Sequence, residues 1–104
     1  MKRITLDYIF TYSQFIQEIR EISFENHEID TKNSTPNGGN FILSGKLEKL
    51  LVIEDLDVFV YVCGIPNFDW SLEIKIDGKP LTSNPIVGTL DGKGNCVYDK
   101  SYPV

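Results

Sequence analysis

Basic residues are scarce in this chain, and histidine, cysteine and long apolar runs are scarcer still. Ten Lys and Arg stand against fifteen Asp and Glu, for a formal net charge of -5. The ten are scattered along the chain, whereas phosphate binding needs them clustered, so a nucleic-acid backbone is excluded as a partner. The longest apolar stretch, Val58 to Ile65, is about eight residues, far short of the roughly 20 that span a bilayer as a helix. Met1-Lys2-Arg3 is basic, but alternating residues follow it rather than the apolar core of a signal peptide. No membrane partner is expected, and without an export signal the expected compartment is cytoplasmic, with Cys63 and Cys96 as two reduced thiols.

The same scarcities thin out the chemistry. His27 is the one histidine and lies between Asn26 and Glu28 with no nucleophile signature nearby, so a Ser-His-Asp type triad has no sequence support. One histidine and two distant cysteines do not make a paired zinc motif. The stretch Asp91-Gly92-Lys93-Gly94-Asn95 lacks the alternating acidic ligands and terminal Glu of a calcium loop. Neither it nor Asn37-Gly38-Gly39-Asn40 ends in the Gly-Lys-Ser/Thr of a phosphate cradle. Carboxylates are numerous enough for glycosidase chemistry by residue type, but 104 residues leave little surface for an enclosing cleft once a core has formed. The expectation is a protein without catalytic residues, metal or cofactor.

What is present is a strand pattern. Hydrophobic residues make up 41% and aromatics 12% of the chain, enough for one core and too much for a disordered segment, so residues 1–104 read as a single domain. Ile4, Leu6, Tyr8, Phe10 and Tyr12 alternate with polar residues as a half-buried strand. Ser13 then offers an N-cap, and Phe15, Ile16, Ile19 and Ile22 follow at helical spacing, which predicts a short helix over 13–21. The isoleucines count against it, because β-branching costs helix propensity.

Ile22 and Phe24 open a second extended segment that fades near Asp30, and 31–40 reads as a loop. Strands are predicted over 41–47, 50–53 and 57–63, the first two joined through a bend, and the clearest of all over 70–76. Asp77-Gly78 marks a tight turn. Residues 86–90 and 95–98 flank Asp91-Gly92-Lys93-Gly94 as a predicted hairpin. The fold class is mainly β, with α+β as the variant if the helix forms: an antiparallel sandwich or open barrel of about seven or eight short strands with one short N-terminal helix.

Two features point toward binding. Glu18, Glu21, Glu25, Glu28 and Asp30 face only Arg20 in their stretch, and Glu54, Asp55 and Asp57 have no basic residue among them. Such patches aid solubility or steer a basic partner. In Ile65 to Trp70, the rings of Phe68 and Trp70 lie beside Asn67 and Asp69, a combination that anchors a protein or stacks on a sugar. Trp70 shares its face with Leu72, Ile74 and Ile76, which places it in the core and leaves Phe68 as the exposed ring.

The leading expectation is a small acidic protein-binding module of inhibitor, immunity or accessory type. Its contact residues are Glu18, Glu21, Glu25, Glu28, Asp30, Glu54, Asp55 and Asp57, with Phe68 as an apolar anchor. The alternatives are a carbohydrate-binding sandwich using Asn67, Phe68, Asp69 and Trp70, and a structural subunit, including a homo-oligomer, that assembles through strand edges.

Overall fold

The computed structural model describes residues 1–104 as ten β-strands without a helix. In chain order they are β1 (Lys2–Ser13), β2 (Ile16–Phe24), β3 (His27–Glu28), β4 (Thr35–Asn37), β5 (Asn40–Val52), β6 (Leu56–Gly64), β7 (Asp69–Ile76), β8 (Lys79–Pro80), β9 (Ile86–Thr89) and β10 (Asn95–Tyr102). Three of them, β3, β4 and β8, are two or three residues long and account for the excess over the seven or eight expected.

Two antiparallel sheets face each other as a β-sandwich. Sheet A runs β4-β5-β1-β7-β8, with β9 on the same side of β7 as β8; sheet B runs β10-β6-β2-β3. Inward residues of both sheets fill the space between them, as the period of two requires. From sheet A come Ile4, Leu6, Phe10, Trp70 and Leu72, and from sheet B come Ile22, Phe24, Val58, Val60 and Val62.

Trp70 is 1% exposed. Its indole lies across Gly88 of β9, where any Cβ would collide with the ring, and edge-on to Tyr98 of β10 at 5.8 Å between centroids. The indole N–H finds no acceptor among protein atoms.

The predicted helix over 13–21 is replaced by β2, and the register shows why the spacing misled. Ile16, Ile19 and Ile22 oppose Gly64, Val62 and Val60, so steps of three on β2 match steps of two on β6. The register shifts fall between Ile16 and Glu18 and between Ile19 and Glu21, leaving Gln17 and Arg20 as the extra residues of two β-bulges. A bulge in each repeat converts a two-residue period into a three-residue one. The bend expected between 47 and 50 is also a bulge: β5 is continuous, and Glu48 and Lys49 together oppose Thr5. Lys49 takes a φ of 56° there.

Three two-residue turns, Glu25-Asn26, Gly38-Gly39 and Asp77-Gly78, have both φ positive and close β2-β3, β4-β5 and β7-β8. That is the I′ geometry matched to strand twist. The predicted hairpin around Asp91-Gly92-Lys93-Gly94 is not one, since β9 pairs β7 in sheet A and β10 pairs β6 in sheet B. The loop instead carries the chain between sheets. Asp91 holds it together: its carboxylate accepts the Lys93 and Asn95 N–H groups at 2.9 and 3.0 Å, which lowers its pKa below the usual carboxylate value.

Candidate functional site

The outer face of sheet B is laid out in transverse rows set by the register. Asp99, Phe59, Ser23 and Glu28 form one row across β10, β6, β2 and β3. Val97, Tyr61 and Glu21 form the next, then Asn95, Cys63 and Glu18; on the other side of the first row Ser101 lies opposite Asp57. Because Leu56, Val58, Val60 and Val62 point inward, Asp57, Phe59, Tyr61 and Cys63 must point out. Two half-buried rings, Phe59 and Tyr61, therefore run along the middle of the face with Glu18, Glu21, Glu28, Asp57 and Asp99 around them.

Between the strands lies an open depression of about 520 Å³ lined by Glu21, Ser23, Asn26, Asp57, Phe59, Asp99 and Ser101. Ser23, only 5% exposed, donates to Glu21 at 2.9 Å, and Ser101 donates to Asp57. Arg20 is the cation of this face, and it is fully engaged. Its guanidinium sits 5.5 Å from the Tyr61 ring centroid, 3.4 Å from Glu18 and, through Nε, 3.3 Å from Cys63 Sγ. The Cys63 hydrogen bond first, and then Glu18, raise its pKa above the ordinary arginine value.

Four of the eight acidic residues singled out in the sequence, Glu18, Glu21, Glu28 and Asp57, share this face. The other four do not join it as open carboxylates. Glu25 sits in the β2-β3 turn and accepts the Asp57 N–H at 2.7 Å. Asp30 accepts from Lys32 and Asn33 within its own loop, and Glu54 and Asp55 lie in the bend between β5 and β6. Asp99, Phe59 and Tyr61 were missed. Alternation against the buried valines carried the signal for the two rings; Asp99 required the pairing of β10 with β6.

The aromatic segment divides as follows. Trp70 belongs to the core. Phe68 is 36% exposed and stacks on Phe15 at 4.3 Å between centroids. Asp69 accepts from the Thr89 hydroxyl at 2.6 Å, and Asn67 takes a φ of 71° while its N–H donates to the Leu90 carbonyl. With Thr11, Ser13, Asn40 and Ser71, Phe68 and Asp69 border a depression of about 360 Å³ on the sheet A side.

The two cysteines point to opposite sides of sheet B: Cys63 faces outward with its thiol donating to Asn95 Oδ1 at 3.2 Å, and Cys96 packs against the core. They stand on neighbouring strands but on opposite faces of the sheet, so no disulfide joins them. His27 is exposed, with Nδ1 3.1 Å from the Glu25 carbonyl. No three or more His, Cys, Asp or Glu side chains converge as a metal-holding group, and no helix is long and apolar enough to cross a membrane.

Comparison with known proteins yields no matching family model, no similar curated protein and no similar solved structure.

Proposed function

We propose that this protein is a non-catalytic binding module that meets a basic protein partner with the outer face of sheet B. The observation that carries the reading is the segregation of charge by sheet. The strands of sheet B hold Glu18, Glu21, Glu28, Asp57 and Asp99 against Arg20 and Lys100. Those of sheet A hold Lys2, Arg3, Lys46, Lys49, Lys75 and Lys79 against Asp7, Glu48, Asp69 and Glu73. An acidic rim around aromatic side chains steers a basic partner and gives it an apolar surface to cover. An inhibitor or immunity-type protein works in this way, by occupying a basic site without chemistry of its own.

The test is affinity purification of the tagged protein from its native lysate at low and high salt, beside two variants. A basic partner retained at low salt and released at high salt is expected. Glu21→Gln/Asp57→Asn/Asp99→Asn weakens its binding about tenfold, since exposed charge pairs contribute roughly 0.2–1 kcal/mol each and about 1.4 kcal/mol is a factor of ten. Asp7→Asn/Glu73→Gln on sheet A leaves it unchanged. A partner held equally by the sheet B triple variant would sink the proposal.

A sugar-binding surface at Asn67, Phe68 and Asp69 is the competing reading. With Trp70 inside and Asp69 engaged by Thr89, it rests on the Phe15-Phe68 stack alone. Glycan-array binding abolished by Phe68→Ala would favour it.

A further inference from the structure

Three of the four sheet edges are guarded. On the β2 edge, two bulges break the line of the strand. The β5 edge is broken by the bulge at Glu48-Lys49 and carries Lys46 and Lys49. Along β7, β8 and β9 cover the edge, and the Leu81 N–H takes the Ile74 carbonyl between them. Bulges, lysines and coverings of this kind are how soluble sheets keep other strands off.

β10 has neither a bulge nor a covering strand, and its one lysine, Lys100, lies on the inner side of the strand over the Tyr102 ring. The strand pairs β6 from Asn95 to Tyr102 with no register shift, contains neither proline nor glycine, and has no strand on its other side. The ladder decides which groups are open. The Gly64 N–H donates to the Gly94 carbonyl, so by antiparallel alternation Cys96, Tyr98, Lys100 and Tyr102 turn their backbone groups toward β6, and Asn95, Val97, Asp99 and Ser101 turn theirs away. Asn95 fits this assignment, because its N–H and carbonyl are taken by Asp91. The N–H and C=O groups of Val97, Asp99 and Ser101 therefore face outward without partners.

We infer that the free edge of β10 accepts an extended, basic segment of the partner as a fifth strand of sheet B. This rests on the acidic-face reading and names how the partner is held. Charge selects the occupant: on the outer side the added strand runs beside Asp99 and Val97, the latter 60% exposed, so cationic side chains belong there. Its inner side meets the half-buried rings of Tyr98 and Tyr102 and the Lys100 ammonium, 5.1 Å from the Tyr102 centroid, so apolar side chains belong there and cations do not. The fitting segment alternates basic and apolar residues, the recognition mode in which backbone bonds give affinity and alternate side chains give selectivity. A second copy of this chain fits poorly, because it would join two acidic faces side by side.

The probe is a blocked peptide, Lys-Val-Lys-Val-Lys-Val-Lys, added at low salt to isotopically labelled protein while amide shifts and exchange are followed by NMR. The Val97, Asp99 and Ser101 amides are expected to shift and to exchange more slowly. Val97→Pro removes an N–H that β6 does not use, as an edge strand tolerates, and is expected to abolish the effect, as is N-methylation of alternate peptide nitrogens. The peptide arm needs no altered protein. Equal binding to Val97→Pro, with shifts confined to Phe59, Tyr61 and Glu21, would overturn strand addition and leave the acidic-face reading standing. No binding of the peptide, or slowed exchange at these amides in the protein alone that grows with its concentration, would also overturn the inference, the latter in favour of a second copy.

Discussion

On the outer face of sheet A, Asp7 of β1 lies between Lys46 of β5, at 3.8 Å, and Lys75 of β7, so acid and base alternate from strand to strand. On the outer face of sheet B the corresponding rows place Asp99, Glu28, Glu21 and Glu18 around two rings, with Arg20 as the cation among them. Both faces are built on the same pleat. Opposite charges across strands stabilise a sheet and like charges weaken it, so face A is charged in a way that serves its own folding and face B is not. An arrangement that costs local stability calls for a reason outside the sheet, and a basic partner supplies one.

The strongest way to break the comparison is to break the interior both faces share. Leu72 is fully buried between the sheets, and Leu72→Ala is expected to lose about 2–5 kcal/mol. Urea unfolding followed by Trp70 emission and by far-UV circular dichroism should shift together. Separate transitions would mean that the faces belong to independently stable layers.

Next comes the bulged strand. Deleting Arg20 removes one of the two bulges and restores alternation from Ile19 to Phe24 while keeping Ile16, Ile19 and Ile22 inward, so the variant is expected to fold with a loss inside the roughly 0.5–3 kcal/mol range of ordinary changes. Deleting Tyr61 from regular β6 turns its remaining side chains to the wrong face and should abolish folding. If the two deletions behave alike, the bulge account of β2 fails. The Arg20 deletion also removes the cation of face B and should tighten binding of a basic partner.

The smallest effects separate the faces directly. Lys46→Gln on face A is expected to lower stability by about 0.5 kcal/mol or less, and Asp99→Asn on face B to raise it by a similar amount at low salt, with both changes fading as salt is added. Matched denaturation curves at two ionic strengths measure both. The same sign for both would erase the distinction between the faces.

Where local pattern and tertiary pairing agree, the sequence was a sufficient guide. β1 and β7 show the two-residue period without interruption, Asp77-Gly78 announces its turn, and the sandwich follows from them. Gln17 and Arg20 defeat the same reasoning, because a bulge depends on the partner strand, and Ile16, Ile19 and Ile22 read as helix without β6. The Asp91 loop looks like a hairpin for a related reason: its residues dictate a sharp reversal, but not which sheet receives the next strand. Four of the five acids of the site, Glu18, Glu21, Glu28 and Asp57, were legible as acidic runs in the chain. Asp99 was not, since nothing near it in the chain says that β10 lies beside β6.

The strand order has a further consequence for how the chain reaches this state. β1 is the first strand in the sequence yet lies at the centre of sheet A, between β5 and β7. Its backbone has no pairing strand on one edge until residues 40–52 arrive, and none on the other until 69–76. During synthesis this strand is thus made well before either of the strands that pair with it. Pairings this distant place the protein among the slow-folding sandwiches, roughly milliseconds to seconds, and leave β1 with both edges unpaired in the interval, the condition in which strand edges invite aggregation.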